Sequence, residues 1–212
     1  MTIRLFIADD HAMVRAGLRR ILTEAGDVQV VGEAGTADEM LRQLEKIDAD
    51  VALLDVSMPG PGIIEVLRVL RETSPRTRAL VLSMHPEEQY ARRVLRAGAA
   101  GYVTKDQAPE RLVEAIRKTA GGGHFVSPRL AEALAAALTT GRTEATPVSH
   151  LSDREFEVLR LIGTGWSVKK IASELGLSHK TVSTYRVRLR EKLGLRTTAE
   201  LIRFAIAEGL VE

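Results

Sequence analysis

Along the first 120 residues, short apolar runs alternate with apolar positions at helical spacing. Ile3 to Ala8 is a mostly apolar run that ends in Asp9-Asp10. Val14, Leu18, Ile21 and Leu22 then form a helical stripe. Val28 to Val31 is a second run, followed by a helix marked by Met40, Leu41 and Leu44. Val51 to Leu54 is a third run, closed by Asp55 and then Met58-Pro59-Gly60. Ile63 to Leu70 reads as a helix, Ala79 to Leu82 as a strand, Tyr90 to Leu95 as a helix and Tyr102-Val103 as a short fifth strand. Leu112, Val113 and Ile116 mark a last helix. Repeated β/α alternation predicts a parallel sheet covered on both faces, with right-handed crossovers.

The pattern then changes. Gly121-Gly122-Gly123 breaks the last helix, and Ser127-Pro128 reads as an N-cap and first helical residue before an Ala-rich helix over 130–138. Residues 139–149 are rich in Thr, Gly and Pro and predict a flexible linker. Beyond it no strand pattern remains. Ser152 with Glu155 and Thr197 with Glu200 are capping boxes, and Ser167 and Ser178 are further N-cap candidates. They predict four helices in about 60 residues. The second and third are joined by Gly176-Leu177-Ser178, which is helix-turn-helix spacing. The expected division is therefore 1–123, a linker with the Ala-rich helix over 124–147, and an all-α unit over 148–212.

Composition narrows the choices. The 212 residues are 45% hydrophobic and 27% charged, without cysteine. That excludes disulfides, thiol catalysis and cysteine zinc sites, and fits a reducing cytoplasm. No window reaches the roughly 18 apolar residues of a membrane span, and the start of the chain does not read as a signal peptide. The five histidines are scattered, with no pair at helical metal spacing. Net charge is +2, but residues 148–212 carry 11 Lys/Arg against 8 Asp/Glu. This basic excess fits either a polyanion partner or a solvated face.

Candidate chemistry lies at the strand ends. The first strand ends on Asp9-Asp10, the third on Asp55, the fourth on Ser83 and the fifth on Thr104-Lys105. Singly these read as a cap, turn residues and a solvated charge. In a doubly wound sheet of strand order 2-1-3-4-5, however, they converge at the switch point, where ligands bind. Three converging carboxylates call for a cation, and an all-oxygen set suits Mg²⁺. With a hydroxyl and a lysine, these are the parts for phosphoryl transfer.

Asp9-Asp10, Asp55 with Met58-Pro59, Ser83, Tyr102 and Lys105 resemble the receiver domain of two-component response regulators. The resemblance implies a flavodoxin-like fold in which Asp55 accepts a phosphoryl group from a histidine kinase. Asp10, Asp55 and the Ser57 backbone carbonyl would hold Mg²⁺, with Asp9 beside them. Lys105 would pair with the phosphoryl oxygens, Ser83 would hydrogen-bond one of them, and Tyr102 would swing inward. Ser57 and His85 would flank the attacking water. Two departures stand out. Asp106, rather than Pro, follows Lys105, and Ile63 stands where the family usually has Gly. If that position needs φ > 0, either Ile63 strains the loop after Pro59, or Gly60 and Gly62 take the unusual angles and Ile63 simply starts the helix.

In the second unit, Leu151 to Glu155, Leu175 to Ser178, Lys180-Thr181-Val182 and Lys192-Leu193-Gly194 resemble the LuxR-type DNA-binding domain. A receiver joined to it is the NarL/FixJ class. The third helix, His179 to Leu193, carries Lys180, Arg186, Arg188, Arg190 and Lys192 against the single acid Glu191. Val182, Tyr185, Leu189 and Leu193 form its expected inward stripe, leaving Lys180, Ser183, Thr184, Val187 and Arg188 for the major groove of double-stranded DNA. The implied protein is a cytoplasmic transcription regulator that is a homodimer when active. Two rivals are a regulator that works without phosphorylation and a Mg²⁺-dependent phosphatase or phosphotransferase.

Overall fold

The computed structural model describes residues 2–84, 87–106, 109–139, 148 and 151–211. His85 and the expected linker residues 140–147 lie outside them. The chain divides into two compact units, Met1–Gly141 and Arg142–Glu212. No described helix is long and apolar enough to cross a membrane.

The first unit is built on five parallel strands, β1 (Ile3–Ala8), β2 (Val28–Ala34), β3 (Val51–Asp55), β4 (Arg78–Ser83) and β5 (Gly101–Thr104). Their order is β2-β1-β3-β4-β5, so the chain reverses direction of winding between β1 and β3. The helices are α1 (Ala12–Glu24), α2 (Ala37–Leu44), α3 (Ile63–Thr73), α4 (Glu87–Ala97) and α5 (Pro109–Ala120). All five residues of β3 are buried, as a central strand with both faces covered requires. Alternate residues split the core. Leu5, Ile7, Leu53, Leu80 and Val103 pack with Leu22 of α1 and Ile116 of α5. Phe6 points the other way and lies over Gly32, where an added Cβ would come within 2.5 Å of its ring.

Residues 124–127, expected in a linker, are a strap on this sheet. Phe125 is buried in the same apolar cluster. Its N–H donates to Ala100 O at 3.0 Å, and its carbonyl accepts from Tyr102 N–H at 2.9 Å. The strap satisfies the outer edge of β5 and leads into α6 (Pro128–Thr139), whose Leu130 is also buried. The first unit therefore continues past residue 123, because burying Phe125 and pairing an open sheet edge both favour docking.

The second unit contains α7 (Asp153–Gly163), α8 (Val168–Glu174), α9 (His179–Leu193) and α10 (Thr198–Ala207). Both capping boxes form, and Ser167 and Ser178 each cap a helix. Gly176, at φ 63, makes the turn between α8 and α9. Gly194, at φ 67, ends α9 with a left-handed cap in which Leu195 N–H reaches back to Arg190 O at 2.8 Å. Phe156, Leu159, Ile171, Val182, Leu189 and Leu201 form the core.

Candidate phosphoryl-transfer site and DNA interface

Parallel register brings the strand ends together. Asp55 pairs with Leu82, Ser83 pairs with Thr104, and Lys105 N–H donates to Ser83 O at 2.8 Å. Asp9, Asp55 and Ser83 are all buried at this edge. Lys105 Nζ lies 2.8 Å from Asp9 Oδ2 and 3.1 Å from Asp55 Oδ2. Asp9 Oδ1 accepts the His11 N–H at 2.8 Å. One ligand atom from each of Asp9, Asp10, His11 and Asp55 falls within 4.8 Å of the others. Ser57 lies in the exposed turn two residues beyond Asp55.

The electrostatics are those of a site short of positive charge. Three carboxylates face one ammonium. Asp55, 2% exposed, is pushed above the ordinary Asp range. Burial is the largest cause and the neighbouring Asp9 charge adds to it, outweighing Lys105 and the Ser57 backbone. Burial alone would lower the Lys105 pKa, but Asp9 and Asp55 together raise it, so the ammonium stays charged. Asp55 Oδ2 is buried and accepts no well-formed hydrogen bond beside its ion pair. A divalent cation fits such a donor set: its charge would balance the surplus, and its coordination would use the orphaned oxygen. The acidic pocket can thus hold a divalent metal.

Tyr102, on β5, is buried. His85 lies outside the described residues. The strain expected at Ile63 is absent. Among the described residues no non-glycine has positive φ. Ile63 is the first residue of α3 and is buried, and Gly62 is extended at φ −65. Gly60, at φ 117, makes the bend instead. The loop relocates its left-handed residue three positions upstream, to a residue without a Cβ. His11 has no second His at helical spacing, so spacing alone does not point to it. The informative signal was its adjacency to two aspartates at a strand end.

On α9, Val182 and Leu189 are fully buried, and Tyr185 and Leu193 are half-buried. Lys180, Thr184, Val187 and Arg188, at i, i+4, i+7 and i+8, share the opposite, exposed face, with Ser183 half-buried beside them. The Thr184 hydroxyl donates to Lys180 O at 3.0 Å and keeps its lone pairs outward. Not all five cations are available to a partner. Lys192 Nζ is bound to the buried Glu155 at 2.7 Å, and Arg190 donates to Arg196 O at 3.1 Å.

Comparison with known proteins places each unit in a family. The response regulator receiver domain matches residues 5–117, and the bacterial regulatory proteins of the luxR family match residues 149–205. Response regulator GacA of Pseudomonas aeruginosa is 36% identical over 210 residues, which are 99% of this chain and 98% of GacA. RcsB from Salmonella enterica serovar Typhimurium, solved bound to promoter rprA in the presence of phosphomimetic BeF3-, is 30% identical with a TM-score of 0.61, over 96% of this chain and 98% of that one. A structure of two RcsB dimers bound to two parallel DNAs is 30% identical with a TM-score of 0.58, over 98% and 99% of the chains. With a receiver, a helix-turn-helix unit and full-length relatives that share both, this chain belongs to the two-component response regulators of the NarL/FixJ class, which regulate transcription through a LuxR-type DNA-binding domain.

Proposed function

We propose that Asp55 accepts a phosphoryl group from a histidine kinase, and that this modification controls pairing of the chain and its binding to double-stranded DNA. The observation that carries the reading is the buried Asp55 carboxylate, held 3.1 Å from Lys105 and grouped with Asp9 and Asp10. A carboxylate oxygen of Asp55 attacks phosphorus, the P–N bond to the donor imidazole breaks, and an acyl phosphate forms. Asp10, Asp55 and the Ser57 carbonyl, with Asp9 beside them, would hold Mg²⁺, which when bound neutralises phosphoryl oxygens. Lys105 turns its ammonium from Asp55 toward the new oxygens. The Ser83 hydroxyl, one strand over, donates to another, and Tyr102 fills the space behind it. The modification adds charge and acceptors at a point where β3, β4 and β5 meet, and so biases the end of the sheet.

The second unit would read DNA through Lys180, Ser183, Thr184, Val187 and Arg188, as a cytoplasmic homodimer. Support comes from the shared exposed face of α9 and from the resemblance to RcsB, which has been solved on DNA as dimers. A phosphorylation-independent regulator loses its motive, because Ile63 sits unstrained at the start of α3. A phosphatase acting on outside substrates would turn over a generic phosphoester, whereas a switch labels itself once. The deciding experiment is Mg²⁺-dependent labelling with acetyl phosphate. The wild-type chain takes up one phosphoryl group and Asp55→Asn takes up none, since an amide is no nucleophile. Full labelling of Asp55→Asn would place the acceptor elsewhere.

A further inference from the structure

We propose that His11 is a nitrogen ligand at the acidic pocket and shifts its preference from Mg²⁺ toward first-row transition-metal cations. This rests on the reading of that pocket as a metal site, and adds which ion it takes. His11 follows Asp10 directly and is the N-cap residue of α1, in extended conformation. Its own N–H is fixed on Asp9 Oδ1 at 2.8 Å, which holds the backbone beneath the ring. Its Nδ1 lies 2.7 Å from Asp10 Oδ1 and 3.5 Å from Asp9 Oδ1. A six-coordinate ion with bonds of about 2.1 Å separates adjacent ligand atoms by about 3 Å and opposite ones by about 4.2 Å. The ligand atoms of Asp10, His11 and Asp55 lie within 4.8 Å of one another, close to that size, so a modest contraction assembles the site.

The other contacts decide which groups are left to ligate. Both oxygens of Asp9 are engaged, Oδ1 by the His11 N–H and Oδ2 by Lys105. Asp10, Asp55 and the His11 imidazole remain. The ring is 66% exposed. As a ligand, Nδ1 would face the ion beside Asp10 Oδ1, leaving Nε2 to the solvent. Mg²⁺ gains little from such a donor, because it favours oxygen and keeps its waters. Imidazole affinity rises instead from Mn²⁺ toward Ni²⁺ and Cu²⁺. One nitrogen among oxygens therefore turns a magnesium pocket into one that also discriminates among transition metals.

The test uses the full chain and His11→Gln, titrated calorimetrically with Mg²⁺ and with Ni²⁺, plus electron spin-echo spectroscopy of the Mn²⁺-loaded proteins. His11→Gln should weaken Ni²⁺ binding by at least about tenfold, no less than losing an outer-shell partner does. It should leave Mg²⁺ affinity within about twofold and abolish the ¹⁴N modulation on bound Mn²⁺. Equal Ni²⁺ affinities, or Mn²⁺ bound without ¹⁴N coupling in the wild type, would remove His11 from the ligand set while leaving an oxygen site intact. If neither protein binds any of the three ions, the metal reading of the pocket itself fails.

Discussion

Glu155 is the residue whose removal should most damage the DNA-binding unit without touching its DNA-facing surface. It is 3% exposed. Its Oε2 accepts from Ser152 N–H at 2.7 Å, the Ser152 hydroxyl at 2.9 Å and Lys192 Nζ at 2.7 Å. Glu155 thus closes the cap of α7 and anchors the last turn of α9 to it. A hydrogen bond to a charged group contributes roughly 1.5–3 kcal/mol, and Lys192, 44% exposed, recovers part of its share from water. Glu155→Ala should therefore cost about 2–4 kcal/mol, out of roughly 3–9 kcal/mol for a unit of about 60 residues. Trp166 is the only tryptophan and lies in this unit, so its fluorescence during urea unfolding of the whole chain reports this unit alone. At about 1 kcal/mol per molar urea, the midpoint falls by about 2–4 M. Arg154→Ala, which removes the half-buried i,i+3 pair Arg154–Glu157, should move it by about 0.5 M or less. The pH dependence carries the sign. Burial alone would raise the Glu155 pKa, but Lys192 and the Ser152 donors outweigh it and hold it below the ordinary Glu value. The stabilisation is then complete above the unfolded carboxylate range and is lost as pH falls through the folded pKa, so the gap between wild type and Glu155→Ala narrows only below about pH 5. Equal shifts for Glu155→Ala and Arg154→Ala, or a gap as wide at pH 3 as at pH 7, would refute the reasoning.

Lys180→Ala and Arg188→Ala should each weaken DNA binding and lower the log–log salt slope by about one, whereas Thr184→Ala should alter sequence preference more than slope. Gel shifts at several salt concentrations decide this, and affinities unchanged in all three variants would exclude this face of α9. Gly101→Ala places a Cβ 2.7 Å from Phe125 O and 2.9 Å from Leu80 Cδ1. Lifting the strap should cost about 1–3 kcal/mol and speed hydrogen exchange at the Tyr102 amide, while unaltered exchange would mean that the strap tolerates the methyl. Ile63→Gly should cost more than about 2 kcal/mol by emptying a buried site and leave Mg²⁺ affinity unchanged, and a rise in Mg²⁺ affinity would restore the strained-loop idea.

Much of the fold was legible because its signals are local. The contiguous run Val51 to Leu54 announced a strand buried on both faces, and Ser152, Ser167, Ser178 and Thr197 marked helix starts that the structure reproduces. What escaped was pairing across distance. Phe125 looked like a linker residue, because nothing near it in the chain shows that Gly101 leaves room for its carbonyl. In the sequence Lys192 counts only toward the basic charge of the third helix, and Glu155 only as a cap. Their ion pair joins positions 37 residues apart. At Ile63 the structure takes one of the two outcomes the sequence left open. Family preference for glycine located the need for a left-handed residue, but the chain is free to meet that need at Gly60.

The two buried acids, Asp55 and Glu155, show why one carboxylate is a candidate site and the other a strut. Burial pushes both toward the neutral form, and it is the largest influence on each. Glu155 answers with two serine donors and a lysine of its own, and its pKa falls. Asp55 shares a single lysine with Asp9 and also meets the Asp9 charge, and its pKa rises. A strand end is a poor place to solvate an acid, so the deficit persists unless something from outside supplies positive charge. A divalent metal ion held by Asp9, Asp10 and Asp55 can supply it. The sequence could name Asp55 because that deficit is written in strand ends that lie close in register, with acids on two of them and one lysine on a third.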